Sequence, residues 1–330
     1  MSLQINNSIQ NIDSIRRSGE NFSLLSRQVC QVVVGNQAIV ESIIIGILCN
    51  GHILLEGVPG VAKTTLIKTI ANNLGLSFKR IQFTPDLMPS DVVGTLIYNP
   101  KTQDFETKKG PIFANIVLAD EINRAPSKVQ SALLEAMQEK QVTLGNQTFK
   151  LPEPFFVFAT QNPIEHEGTY QLPEAQLDRF MFKLNVGYPS KLHEREILYQ
   201  TDHITQNVSI INAQEIFQAQ ELVKSIYTDN KVAEYIIDIV HATRTPEDFN
   251  LSNLTDLISM GASPRASIAI YQASKAKAFI EGRYFVTPED VKSIAPIVLQ
   301  HRIILSYAAQ ADQIHTKQII KQILDSLPTP

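Results

Sequence analysis

The chain is poor in the residues that build several common kinds of site. It has two cysteines in 330 residues, Cys30 and Cys49, and they form no close-spaced ligand pair. That excludes a thiolate metal centre; both read as buried thiols in a reducing compartment, with a disulfide the lesser alternative. The seven histidines include no pair spaced for zinc. His166, between Glu165 and Glu167, reads as part of a solvated loop. A Gly-x-Ser-x-Gly nucleophile elbow is absent. Long apolar runs are absent too: the longest, Ile43 to Cys49, is far too short to span a bilayer. Met1 to Gln10 is polar and lacks the basic-then-apolar order of a signal peptide. The expected location is therefore the cytoplasm, without membrane insertion. Positive charge is not in excess, with 29 Lys and Arg against 33 Asp and Glu and a formal net charge of -4. General affinity for nucleic acid is not expected from that balance. Neither an internal repeat nor a low-complexity tract is present.

What is there is a globular composition, 44% hydrophobic and 19% charged, in a chain long enough for two domains. Residues 1 to about 34 read as helical until Gly35 breaks the pattern. Gln37 to Leu48 predicts a helix with a wide apolar face, stopped by Asn50-Gly51. Short apolar runs at His52–Leu55, Phe78–Phe83, Ile116–Ala119, Phe155–Ala159 and Met181–Val186 predict strands, and the run from Phe155 reads as strand core rather than a base-stacking platform. Gly94–Tyr98 and Asp104–Thr107 around Asn99-Pro100-Lys101 predict one hairpin, and Val142–Leu151 with Gly145-Asn146 another. Ser127 is expected to cap a helix reaching about Lys140, with Val129, Ala132, Leu133, Ala136 and Met137 on one face. Beyond Pro189 helical periods dominate. Ser263-Pro264 and Thr287-Pro288-Glu289-Asp290 read as helix starts. The expectation is an α/β core over residues 1–189, a parallel sheet flanked by helices, followed by a smaller all-α domain over 190–330.

The stretch Glu56 to Thr65 carries the strongest chemistry. A strand runs into a glycine-containing loop and then a helix, so that backbone N–H groups converge on an anion beside a helix N-terminus. Lys63 would neutralise outer phosphates and the Thr64 hydroxyl would ligate Mg²⁺. Ala62 stands where glycine is usual before the lysine. Read alone, the stretch is also compatible with an ordinary strand-to-helix turn bearing a surface lysine. A second apolar strand ends in Asp120 and Glu121, and in an open parallel sheet ligands sit at the carboxyl ends of strands. Asp120 could then hold Mg²⁺ through water while Glu121 polarises the attacking water. Thr160-Gln161-Asn162-Pro163 ends a third strand, where an amide could orient the same water.

Together Gly57-Val58-Pro59-Gly60-Val61-Ala62-Lys63-Thr64, Leu118 to Pro126, Ala159 to Pro163, Leu172 to Phe180 and Gly261 to Ala266 resemble MoxR-family AAA+ ATPases. Five motifs occur in the family's order, between about Val34 and Arg302, and alanine before the lysine is itself typical of that family. The resemblance implies a P-loop NTPase core with a helical lid, binding ATP and Mg²⁺. Gly57, Val58, Pro59, Gly60, Val61, Ala62, Lys63, Thr64 and Thr65 would form the Walker A loop, with Val34 and Gly35 flanking adenine. Asp120 and Glu121 would be the Walker B acids, and Asn162 sensor 1. Arg179 would be the arginine finger for a neighbouring subunit, the alternative being a salt bridge with Asp178 or Glu174. Arg265 would be sensor 2, the alternative being a surface residue on a helix started by Pro264. The resemblance further implies a ring of identical subunits, a hexamer, acting chaperone-like on a protein client such as a von Willebrand factor A domain protein. Asp91–Gly110 and Gln141–Leu151 match the helix-2 insertion and the hairpin before sensor 1. A nucleic-acid motor of the same AAA+ branch, a metal-chelatase ATPase subunit and an ATP-gated scaffold with little turnover are the other readings. The acidic balance opposes the motor, and intact Glu121 and Arg179 oppose the scaffold.

Overall fold

Residues 2–163, 169–199 and 210–330 are described by the computed structural model, which leaves His166 and its acidic neighbours outside. In chain order, α1 (Ser2–Val32) and α2 (Gln37–Leu48) precede β1 (Ile53–Glu56), α3 (Lys63–Asn73), β2 (Phe78–Gln82) and α4 (Pro89–Val93). The hairpin β3 (Gly94–Asn99)–β4 (Asp104–Lys109), β5 (Ile116–Asp120) and α5 (Ser127–Glu139) follow. Next come the hairpin β6 (Gln141–Leu144)–β7 (Gln147–Lys150), β8 (Phe156–Gln161), α6 (Glu174–Leu177), β9 (Phe182–Asn185) and α7 (Lys191–Tyr199). The remainder is α8 (Ala213–Ser225), α9 (Asn230–Ala242), β10 (Ile258–Met260), α10 (Pro264–Ile280), α11 (Pro288–Leu299), β11 (Ile304–Leu305), α12 (Tyr307–Ala311) and α13 (Thr316–Ser326).

The apolar runs build a five-stranded sheet in the order β2-β5-β8-β1-β9. β1 pairs with β8, β8 with β5 and β5 with β2, all parallel. Strands covered on both faces have no need of alternation, and every residue of β5 is buried. The α5 side chains Val129, Leu133, Leu134 and Met137 join Val117, Ala119, Phe155 and Val157 in one core cluster. Each such fully buried aliphatic or aromatic side chain contributes about 1.5–3 kcal/mol relative to exposure. The register sets Glu56 beside Gln161, Ala119 beside Ala159 and Gln82 beside Asp120. Three loops bearing polar residues therefore leave the sheet at the same edge.

The helix ends show how local chemistry places these loops. α2 closes through Gly51 N to Gly46 O (2.8 Å) and Asn50 N to Ile47 O (3.1 Å), with Asn50 in the left-handed region. That is the Schellman arrangement, with asparagine in the glycine role. At α5 the structure corrects the sequence reading. Pro126 is the N-cap and Ser127 the first helical residue, with no side-chain cap bond. The Pro126 carbonyl already accepts from Val129 N (2.9 Å), so the helix begins one residue earlier than a serine cap requires. The buried face also differs: Gln130 and Leu134 are inside, whereas Ala132 is only half-buried. Cys30 and Cys49 are free and half-buried rather than buried.

The chain falls into two compact units, residues 24–180 with 184–217 and residues 1–23 with 181–183 and 218–330. The first holds the phosphate loop and both hairpins. Leu96 lies against Gly145, and the Lys109 ammonium sits 5.0 Å and 5.2 Å from the ring centres of Phe113 and Phe149. The two hairpins thus touch, while Ile97, Tyr98 and Phe105 stay exposed on the first. The second unit is helical. Phe22 meets Phe279 edge-on at 6.1 Å, and buried Arg302 donates to Met181 O (3.1 Å) and Val298 O (2.6 Å). Its α11 begins with a Thr287–Asp290 capping box, as its sequence predicts.

Candidate functional site

β1 enters the loop at Gly57, whose N–H donates to Gln161 O (3.1 Å). A Cβ on Gly57 would collide with the Val186 carbonyl oxygen, so only glycine permits this approach. Gly60 has φ +85° with open space around it, and Ala62 sits at φ 57°, ψ 23° as the N-cap of α3. Alanine therefore adopts the left-handed conformation for which glycine is usual, a strain of the kind stored at functional sites. Ala62 offers no side-chain cap. The leading N–H groups of a helix have no intrahelical acceptors, so this end of α3 can serve an anion.

Lys63 opens α3, with Thr64 half-buried and Thr65 exposed after it. Val61 is buried in the loop and Val58 half-buried, and Pro59 and Gly60 are exposed. The Lys63 ammonium donates to Gly57 O at 2.5 Å. Burial lowers its pKa, opposed by the nearby carboxylates Asp120, Glu121 and Glu56. The loop lysine and both acids thus share one electrostatic neighbourhood.

The Asp120 carboxylate is buried and fully engaged. Its Oδ1 accepts from Thr160 Oγ1 (2.6 Å), and its Oδ2 accepts from Arg80 Nε (2.9 Å) and Nη2 (2.6 Å). Glu121 occupies the left-handed region at φ 57°, ψ 50°. Its N–H donates to the same Thr160 hydroxyl (2.8 Å). Its Oε2 accepts from Gln82 Nε2 (2.8 Å) and pairs with Arg124 Nη1 (3.3 Å). Thr160 therefore holds both acids, and Arg80 and Gln82 reach them from the neighbouring strand. Sequence reasoning missed these three roles. The signal was present for two of them: alternate residues at the end of β2 share a face, and that face adjoins Asp120.

Asn162 is buried just past the end of β8. Val34 is buried beside Gly35, whose φ is +83°; a Cβ there would lie 2.5 Å from His193 Nδ1. Arg179 follows α6 and donates from Nη1 to Leu134 O (3.0 Å). It borders a cavity of about 320 Å³ lined also by Ser131, Glu135, Gln138, Glu139 and Gln176. Arg265 lies on the exposed first turn of α10, where Ser263 caps and Pro264 is the first helical residue. It belongs to the second unit with Ser263 and Pro264, whereas the other residues named here belong to the first.

The arrangement fits a nucleoside triphosphate: an uncapped helix end, a lysine and two acids at adjacent strand ends. It fits Mg²⁺ as well, on a condition. Among the described residues no cluster of three or more His, Cys, Asp or Glu could hold a metal unaided. A cation beside Thr64 and Asp120 would depend on phosphate oxygens and water, as Mg²⁺ in nucleotide sites does. Among the described residues no helix is long and apolar enough to cross a membrane.

Residues 52–182 match the ATPase family associated with various cellular activities (AAA), and residues 252–323 match the AAA lid domain. Chaperone MoxR1 of Mycobacterium tuberculosis is 48% identical over 304 residues, spanning 92% of this chain and 81% of that protein. The Bacillus subtilis protein YeaC is 46% identical over 303 residues, spanning 91% and 92%. The crystal structure of a candidate ATPase from Cytophaga hutchinsonii superimposes with a TM-score of 0.92 at 44% identity, covering 99% of both chains.

Proposed function

We propose that this chain, which belongs to the MoxR family of AAA+ ATPases, hydrolyses ATP to ADP and phosphate at the subunit boundaries of a homo-oligomeric ring, a hexamer. The single observation that carries the reading is the convergence of Lys63, Asp120 and Glu121 at the sheet edge where the glycine loop begins. The α3 end and the Lys63 ammonium bind and orient the outer phosphates. Thr64 and the Asp120 side of the site would hold Mg²⁺, which would supply charge neutralisation on the transferring group. Glu121 takes the proton of the attacking water, with Asn162 helping to orient that water. Arg179 reaches a neighbour's γ-phosphate, and Arg265 acts on the phosphates of its own subunit, because guanidinium groups stabilise the charge spread in the transition state. Val34 and Gly35 flank the adenine.

Residues 1–189 act as the catalytic core and 190–330 as the lid. Each cycle remodels a protein client, as the chaperone name of the mycobacterial relative supports. A von Willebrand factor A domain protein is the client class offered by the family resemblance. The touching hairpins, with Ile97, Tyr98 and Phe105 exposed, are the surface we assign to that client. We place the activity in the cytoplasm.

The test is turnover against protein concentration. Because Arg179 acts in a neighbour's site, specific ATPase activity rises as the chain assembles. Arg179→Ala lowers assembled turnover on the order of 10³-fold. Concentration-independent turnover that survives Arg179→Ala would contradict the reading.

A further inference from the structure

Gln130 is a polar residue in the middle of the core face of α5, and it is fully buried. Its Nε2 donates to Ile122 O (3.1 Å), Ala125 O (3.2 Å) and Tyr170 O (2.9 Å). Its Oε1 has no partner among the described residues. Three carbonyl oxygens around one amide atom fix the orientation: that atom must be the nitrogen, and its two protons are shared among three acceptors. A buried, unpaired amide oxygen costs free energy that a leucine at this position would not. All three bonds run from the amide to backbone carbonyls of other segments, so packing alone does not account for glutamine.

The three acceptors belong to two segments. Ile122 and Ala125 form the turn immediately after Glu121, and Arg124 of that turn pairs with the Glu121 carboxylate. Tyr170 begins the segment that leads to Arg179, and its own N–H donates to Asn123 O (2.6 Å). The far end of that segment returns to the same helix, where Arg179 Nη1 donates to Leu134 O one turn beyond Gln130. Helix α5 therefore grips the segment at both ends, and the first grip is shared with the turn that carries Glu121.

We propose that Gln130 is a positioning residue that couples Glu121 of one active site to Arg179, which the same subunit offers to its neighbour. A displacement of the Glu121 turn on nucleotide binding is transmitted through the amide to the Tyr170 segment, so the state of one site sets the placement of the finger for the next. The proposal rests on the reading above that Glu121 and Arg179 act in hydrolysis.

The experiment mixes full-length subunits. Glu121→Gln subunits supply a finger but no acid, and Arg179→Ala subunits supply an acid but no finger; mixed together, they regain turnover that neither has alone. Gln130→Met, close in size but without an N–H donor, is then added to one partner at a time. The expected result is at least a fivefold loss of the regained turnover in both mixtures, with the affinity for a fluorescent ADP analogue unchanged in each variant. A loss in only one mixture, or in neither, overturns the coupling, because Gln130 would then serve one segment at most. Hydrogen exchange on the Glu121→Gln chain, with residue 130 intact, keeps the test open should Gln130→Met fail to fold. ATP is expected to slow exchange at residues 122–126 and 169–172 together, and a change confined to 122–126 overturns the proposal. If Arg179→Ala alone keeps full turnover, the reading of Arg179 fails first and takes the coupling with it. That outcome is distinguished by the unmixed sample.

Discussion

Carboxylates are held in two different ways in this molecule, and the contrast separates a working acid from a structural one. Asp290, in the helical unit, is 3% exposed and lies within a few residues of everything that binds it. Arg283 forks onto it, Nη1 to Oδ2 (2.9 Å) and Nη2 to Oδ1 (2.7 Å), and Thr287 N adds 2.8 Å to Oδ2. The pKa of Arg283 is raised, chiefly by its hydrogen bond to Asp290. The ion-pair partners of Asp120 and Glu121, in the α/β unit, are instead side chains open to water: Arg80 is 49% exposed and Arg124 is 41% exposed. Partners of that kind leave at little cost, since exposed ion pairs contribute roughly 0–1 kcal/mol. A forked, desolvated pair does not release its acid, whereas a water-exposed pair can yield it to a metal or a substrate.

Asp290→Ala is the largest break in this comparison. It leaves Arg283 without its main partner and removes the α11 capping box, costing about 3 kcal/mol in chemical denaturation. A loss below about 1 kcal/mol would erase the distinction. Intermediate in size is the effect of pH on His52, a group apart from these carboxylates that the fold keeps uncharged. Burial lowers it from 6.5 to about 4, partly opposed by the Met137 carbonyl and assisted by Lys140. Its Nδ1 accepts from Val157 N (3.0 Å), which requires the unprotonated nitrogen. The unfolded chain takes up this proton below about 6.5 and the folded chain only near 4. Stability is therefore full above pH 6.5 and declines towards pH 4, by at most roughly 3 kcal/mol. His52→Gln is expected to flatten that part of the profile, and an unchanged slope would refute the assignment. Smallest is Arg80→Ala, with a predicted stability change within about 1 kcal/mol. A loss as large as that of Asp290→Ala would make the Asp120 pair structural.

The same contrast explains what was legible in the sequence. Thr287 and Asp290 could be read because a capping box is completed within four residues, and Ser263-Pro264 for the same reason. The order of the strands' polar ends was legible because a glycine loop and an acidic strand end each announce themselves locally. The Thr160 hydrogen bonds to both acids, Arg80 on Asp120 and Gln130 on Tyr170 each join residues about 40 positions apart. Such contacts exist only once distant segments have been placed side by side; the strand period of β2 puts Arg80 and Gln82 on one face but does not say which carboxylate that face meets. Ser127 was misread because the preceding Pro126 already supplies the first helical acceptor.

The central claim is that Lys63, Thr64, Asp120 and Glu121 serve one magnesium–ATP group, with Glu121 as the proton acceptor. Phosphate release by Glu121→Gln, measured at assembling concentration beside ATP binding by the same sample, tests it most directly. The account predicts retained ATP binding with release lowered on the order of 10²-fold or more. Wild-type release from that variant would contradict it.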